Sequence, residues 1–139
     1  MQEQTLLIIK PDAIERHLAG KIIQKIEESG FEIGAIKKVV LTKKQAEAFY
    51  GVHRDKEFFS DLVEFMTSGP CIPMVVRGEN AVHGIRELVG ATDPEKAYEN
   101  TIRALWGTTI RKNCVHASDC EKSAEKEICF FFDLCSIVI

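Results

Sequence analysis

Asn113, His116, Ser118 and Asp119 fall in the run Arg111-Lys112-Asn113-Cys114-Val115-His116-Ala117-Ser118-Asp119. An amide, an imidazole, a hydroxyl and a carboxylate therefore share one short stretch. A neutral imidazole is a good nucleophile near neutral pH, because its unperturbed pKa lies just below physiological pH. The amide and hydroxyl beside it can hold the ring and fix its tautomer. The cations point to the chemistry of the partner. Lys10 ends an apolar run, Arg86 flanks the apolar stripe of a helix, and Arg103 and Arg111 lie in the same unpatterned stretch as His116. The planar guanidinium fork suits phosphate, to which it donates bidentate hydrogen bonds. Taken singly, each cation reads as a solvated surface charge; taken with His116, they outline a phosphate clamp. The chain has no Gly-x-x-x-x-Gly-Lys-Ser/Thr or Gly-x-Gly-x-x-Gly loop, so side chains must hold any phosphate.

Other chemistries fit less well. Cys114, His116 and Cys120 match no common zinc-ligand spacing, and no second Cys/His pair is close. Cys114 has apolar neighbours, which disfavours a nucleophilic thiolate despite Arg111 and Lys112 nearby. His17, His53 and His83 have no site-forming neighbours and read as structural. The five cysteines are an odd set without a secretory signal, which implies free thiols in a reducing compartment. Cys71, Cys129 and Cys135 sit in apolar runs and read as small buried side chains. The N-terminus lacks a basic segment and a long apolar core, and no apolar run is long enough to span a bilayer. A soluble cytoplasmic protein is expected. The net charge of −3 argues against nucleic acid as the primary ligand.

These side chains need elements to position them. The length of 139 residues and the scattered Gly and Pro point to a single domain over 1–139. Thr5 to Lys10 is β-rich and stops at Pro11, placing Lys10 at a strand's C-terminal end. Leu18, Ile22, Ile23 and Ile26 recur at helical spacing, with Gly30 as a stop. Residues 31–41 are β-rich, with a bulge marked by Gly34. Thr42-Lys43-Lys44-Gln45 fits a capping box. Two helical stripes follow, Ala46, Phe49 and Tyr50, then Phe58, Phe59, Leu62, Phe65 and Met66. Residues 71–76 form a third strand, which Pro73 assigns to an edge or to a late start. Val82, Ile85, Leu88 and Val89 define another helix. Residues 90–118 show little periodicity, which implies a long functional loop. Ser118 or Asp119 would cap a short helix ending at Glu127. Ile128-Cys129-Phe130-Phe131-Phe132 would be a fourth, fully buried strand. The pattern predicts an α+β fold: a ferredoxin-like βαββαβ sandwich with a four-stranded antiparallel sheet, an inserted helical hairpin and a long active-site loop.

The ordered motifs carry a resemblance. Asn113-x-x-His116-Ala117-Ser118-Asp119 is joined by Ile9-Lys10-Pro11-Asp12, Phe49-Tyr50 with His53-Arg54, Phe58-Phe59 and Ser68-Gly69-Pro70. Gly90-Ala91-Thr92-Asp93-Pro94 and Thr101-Ile102-Arg103 complete the set. Over essentially its whole length the chain resembles the nucleoside diphosphate kinases. The resemblance implies ping-pong transfer of a γ-phosphate, from ATP in the main, to nucleoside diphosphates through a phosphohistidine on Nδ1 of His116. It implies that Lys10, Tyr50, Arg86, Thr92, Arg103 and Asn113 contact the phosphates and ribose. Phe58 would stack on the base, with Leu62 and Ile110 packing nearby, and Ser118 and Glu127 would support the histidine. Mg2+ would bridge the phosphates, held by nucleotide and water with no direct protein ligand. Partners would be nucleoside di- and triphosphates and further copies of the chain, as a tetramer or a hexamer.

The chain departs from the family pattern at Arg103-Ala104-Leu105-Trp106-Gly107, where an acidic residue and Phe usually follow the Arg. It departs again at Glu57, where Pro usually precedes the two Phe. Both lie near the nucleotide or its adjoining loop. A non-catalytic module on the same fold would be expected to lack some of His116, Asn113, Lys10 and Arg103, and all four are present.

Overall fold

The computed structural model describes residues 2–133 and 137. Strand β1 (Gln2–Ile9) forms the centre of the molecule. Its side chains alternate between faces, as the two-residue strand period requires. Leu7 and Ile9 enter one apolar cluster, Leu6 and Ile8 the other, and all four are fully buried. This explains why residues 6–9 of β1 are continuously apolar: a stretch covered on both faces has no solvent side.

Helices α1 (Pro11–Glu15) and α2 (Ala19–Glu28) lead to β2 (Glu32–Ile36). The register shifts between Ile33 and Ala35, so the bulge falls at Gly34 as expected. Beyond β2, among the described residues, only an isolated bridge, Val39 to Cys71, extends the pairing. The inserted hairpin comprises α3 (Lys43–Phe49), a 3-10 turn at Gly51–His53, and α4 (Phe59–Met66). Its entry is the predicted capping box, with the Thr42 and Gln45 side chains and backbones bonded reciprocally. Strand β3 (Ile72–Glu79) and helix α5 (Ala81–Val89) follow. After them come a 3-10 turn at Pro94–Lys96, α6 (Ile102–Trp106), β4 (Val115–Ala117) and α7 (Glu121–Phe131).

The sheet order is β2-β3-β1-β4, and every pairing is antiparallel. That is the ferredoxin-like arrangement. Ile22 and Ile26 of α2 and Ile85 and Val89 of α5 cover one face; Ala46, Val63, Met66 and Ile128 of α3, α4 and α7 cover the other.

Four expectations are corrected. The fourth strand is Val115–Ala117, inside the stretch read as a loop, and 128–132 is not a strand. Helix α7 runs through that apolar segment, burying Ala124, Ile128 and Phe131 at helical spacing. A short apolar run cannot reveal its own period, and here a helix already under way continued through it. Cys129 is therefore exposed, contrary to its reading as a buried side chain. The α7 N-cap is Cys120 rather than Ser118 or Asp119. Strand β3 is interior, which rules out the edge alternative, while it starts one residue later than read, at Ile72, with Pro73 as its second residue. Pro73 has no N–H to lose there, and its carbonyl accepts from Lys37 N at 3.2 Å. Cys135 lies outside the described residues.

Candidate active site

His116 is the middle residue of β4, opposite Ile8 of β1. Its neighbours Val115 and Ala117 point into the α2/α5 cluster, so strand alternation sends the imidazole to the other face. There it meets α3 and α7. The Phe49 ring stands edge-on to the imidazole at 5.5 Å between centroids, and the Tyr50 ring at 6.1 Å. Glu127, on the face of α7 turned to the sheet, brings Oε1 to 2.7 Å from His116 Nε2. The same oxygen accepts from Ser118 Oγ at 2.8 Å. A carboxylate only accepts, so a ring with one proton carries it on Nε2 and keeps its lone pair on Nδ1. A half-buried imidazole of fixed orientation and defined tautomer is the result.

His116 lines a cleft of about 940 Å³ between the helical hairpin, α7 and the long segment after α5. Lys10, Tyr50, Phe58, Leu62, Arg86, Thr92, Arg103, Ile110, Asn113 and Glu127 line it too. Ser118 is fully buried behind it. The structure thus gathers the sequence-predicted residues at one place, although Lys10 caps α1, Tyr50 caps α3, and α4, α5, α6 and α7 carry Leu62, Arg86, Arg103 and Glu127.

The cleft floor is cationic and rigid. Lys10 Nζ donates to the Arg111 carbonyl at 2.8 Å and to Asn113 Oδ1 at 2.9 Å. Asn113 Nδ2 donates to the Thr92 carbonyl at 2.9 Å, tying the loop after α5 to the segment just before β4. Arg103 donates from Nη1 to Gly90 O at 3.0 Å and from Nη2 to Val115 O at 2.8 Å. Arg86 Nη1 reaches Ala117 O at 3.2 Å. Burial pulls Lys10 down from 10.5 to about 8, with Arg103 and Arg111 adding repulsion. Burial likewise lowers Arg103 to about 10, with Arg86 pressing the same way. Buried cations held close together at such cost are what a polyanion would relieve.

Gly90 sits where only glycine fits. Its φ is +92°, and a Cβ there would meet Thr101 Oγ1 at 2.5 Å. The residue after Asn113 is more unusual: Cys114 has φ +77° with a full side chain. Its thiol is buried and raised to about 11 by desolvation first, then by Asp12, which fits its reading as a non-nucleophile.

On the side of the helical hairpin the mouth turns apolar. Phe58 keeps 41% of its surface exposed and Ile110 keeps 60%, so each presents a free face to the cleft. His53, read as structural, stands on this lip with its ring 5.4 Å from Phe58. Phe130, read as strand core, also lines the cleft, because it lies on α7. Tyr50 is buried, and desolvation raises its hydroxyl far above the usual range, so it stays neutral. Phe49 and Asp12 belonged to sequence motifs but gained roles only in three dimensions. At the Leu105–Trp106 departure, Leu105 is exposed and Trp106 packs on the α2/α5 cluster.

Comparisons with known proteins show which family the chain and its fold resemble. A family model for nucleoside diphosphate kinase matches residues 3–137. The chain is 53% identical to a nucleoside diphosphate kinase of Persephonella marina, covering 98% of this chain and 97% of that protein. It is 54% identical to one from Actinobacillus pleuropneumoniae, covering 95% and 96%. Among solved structures, the Aquifex aeolicus nucleoside diphosphate kinase superposes with a TM-score of 0.97 at 47% identity, covering 99% and 100%. The Halobacterium salinarum enzyme, solved in complex with CDP, gives 0.96 at 38% identity, covering 100% and 93%. With the family model, the similar sequences and the similar structures all in agreement, the chain belongs to the nucleoside diphosphate kinase family.

Proposed function

We propose that this chain transfers the γ-phosphate of a nucleoside triphosphate, chiefly ATP, to nucleoside diphosphates through His116. The observation that carries the proposal is the 2.7 Å contact from His116 Nε2 to Glu127, which leaves Nδ1 as the free nucleophile in a cationic cleft. In the first half-reaction Nδ1 gives its lone pair to the γ-phosphorus. The bond from that phosphorus to the β–γ bridging oxygen breaks, and the nucleoside diphosphate leaves with the electron pair. In the second half, a terminal phosphate oxygen of another diphosphate attacks the phosphorus, the P–N bond breaks, and the lone pair returns to Nδ1.

Each proposed site residue has a physical task. Lys10, Arg86 and Arg103 neutralise the phosphates, since a loose phosphoryl-transfer transition state rewards positioning and charge more than covalent help. Thr92 and Asn113 sit beside them on the rigid floor, and Tyr50 packs against the imidazole. Phe58 stacks on the base, with Leu62 and Ile110 completing the slot. Every base has a π face, so acceptance of different bases follows. Glu127 and Ser118 hold the tautomer.

Mg2+ belongs to the same reading. Among the described residues no three His, Cys, Asp or Glu groups gather to cage an ion. The floor is cationic, so it fits a metal that arrives on the nucleotide with water as its other ligands. When bound, the ion withdraws charge from the phosphates. The proposal also takes 1–139 as one unit, working in the cytoplasm as a homotetramer or homohexamer. Among the described residues no helix is long and apolar enough to cross a membrane. ATP-to-GDP transfer, with native mass measured on the same sample, tests the proposal. Transfer that needs His116, from a protein of four or six chains, is the expected result; ADP binding without transfer would leave only a nucleotide-binding module.

A further inference from the structure

Asp12 has no task in the chemistry just described, yet it is buried beneath the cleft floor. It lies in the first turn of α1, immediately after the Lys10-Pro11 pair. Its Oδ2 accepts from the backbone N–H of Cys114 at 3.1 Å. The Cys114 carbonyl accepts from the Lys10 backbone N–H at 2.8 Å. Cys114 is thus clamped at both ends by the segment 10–12, and it is the residue whose φ is +77°. A side chain in that region is strained, and such strain persists only where the surroundings hold it. Cys114 lies between Asn113, which bonds Lys10 and Thr92, and the strand that carries His116. The other oxygen, Oδ1, is buried and has no hydrogen-bond partner among the described residues. Lys10 is faced by Asp12 from α1, by Arg103 from α6, and by Arg111, Asn113 and Cys114 from the long segment. Asp12 is the one carboxylate among them, and the Cys114 thiol acts on Lys10 in the same direction more weakly.

From this geometry we infer that Asp12 is a positioning residue. Its carboxylate holds the Cys114 backbone in its left-handed turn, so that Asn113 and His116 meet the same nucleotide, and its charge keeps Lys10 cationic in a site crowded with guanidinium groups. The two tasks are separable. Asparagine in place of Asp12 still offers an oxygen to the Cys114 N–H but carries no charge; alanine offers neither.

The inference rests on the reading of Lys10 and His116 given above, and its test separates the two. ADP affinity by calorimetry and ATP-to-GDP transfer are measured from pH 6 to 10 on the wild type, Asp12→Asn, Asp12→Ala, and Asp12→Ala combined with Cys114→Gly. In the wild type, ADP affinity should begin to fall near pH 8, as Lys10 loses its proton. Asp12→Asn should keep most of kcat but move that fall down by about one pH unit, because an opposite charge nearby is worth about 1–3 units. Asp12→Ala should also lose kcat at pH 7, by about 10-fold or more. Adding Cys114→Gly should restore part of that loss, since glycine takes φ +77° unaided. A merely structural role would move neither the pH profile nor that rescue. If Asp12→Ala does not fold, the Asp12→Asn profile decides alone. An unmoved ADP profile in Asp12→Asn, or an Asp12→Ala deficit that Cys114→Gly leaves unchanged, overturns the inference. A wild type without transfer would instead overturn the reading of His116.

Discussion

At the scale of single residues, the account depends on which ring nitrogen of His116 carries the proton. Glu127 decides it by accepting from Nε2 at 2.7 Å while also accepting from Ser118 at 2.8 Å. Glu127→Ala should therefore lower kcat by about 10- to 100-fold, as removal of an imidazole's orienting partner commonly does. KM for ATP should change little, and single-turnover phosphorylation kinetics are the check. Lys10 gives a second prediction, in two directions. Its folded pKa of about 8 is below its ordinary 10.5, so between these values the unfolded chain holds more protons than the folded one. The Lys10 contribution to stability of the free protein should then rise with pH across that window, while ADP affinity falls. Denaturant melts at pH 7.5 and 9.5, compared between wild type and Lys10→Met, isolate the first trend; the substitution should abolish the Lys10 share of the rise.

At the scale of elements, the site is built where β1, β4 and α7 meet, and the loop after α5 closes it. Gly90 is the tightest point of that loop. Gly90→Ala would force a Cβ to within 2.5 Å of Thr101 Oγ1 at φ +92°. A cost of about 1–3 kcal/mol is expected, with a raised KM for ATP, because the Gly90 carbonyl anchors Arg103 at 3.0 Å. Thermal melts and steady-state kinetics test the two parts. Much of this architecture was legible in the sequence through local rules. Pro11 marked the end of β1 and thus the place of Lys10, Thr42 and Gln45 opened α3, and Gly34 marked the bulge. What stayed hidden was non-local. Val115-His116-Ala117 is too short to announce a strand, and only pairing with Leu7 and Ile9 makes it one. Phe130 faces the site only once α7 is known to run on to Phe131. Asp12 could be quoted within a motif, but its bond to Cys114 spans the whole length between them.

For the whole molecule, charge is distributed unevenly. The chain has a net charge of −3, yet among the described residues Lys10, Arg86, Arg103, Arg111, Lys122 and Lys126 line the cleft against only Asp119 and Glu127. A cationic cleft in an anionic body attracts a polyphosphate along its approach while repelling other acidic surfaces. kcat/KM for ATP should fall as ionic strength rises from about 0.01 to 0.15 M, where the Debye length shortens from about 30 to 8 Å. Saturated kcat should hold steady. Lys122→Ala with Lys126→Ala should flatten the salt dependence, since these two residues sit on the rim. The α7 helix thus serves twice: Glu127 faces His116, and the lysines border the cleft mouth.

The central claim is that His116 carries the phosphate between two nucleotides. The most direct measurement is to incubate the protein with γ-labelled ATP and Mg2+, isolate it, and locate the label. The account predicts acid-labile, base-stable phosphate on His116 that GDP removes as labelled GTP, and no label on His116→Ala. Label that persists on His116→Ala, or transfer to GDP without any labelled protein in between, would contradict it.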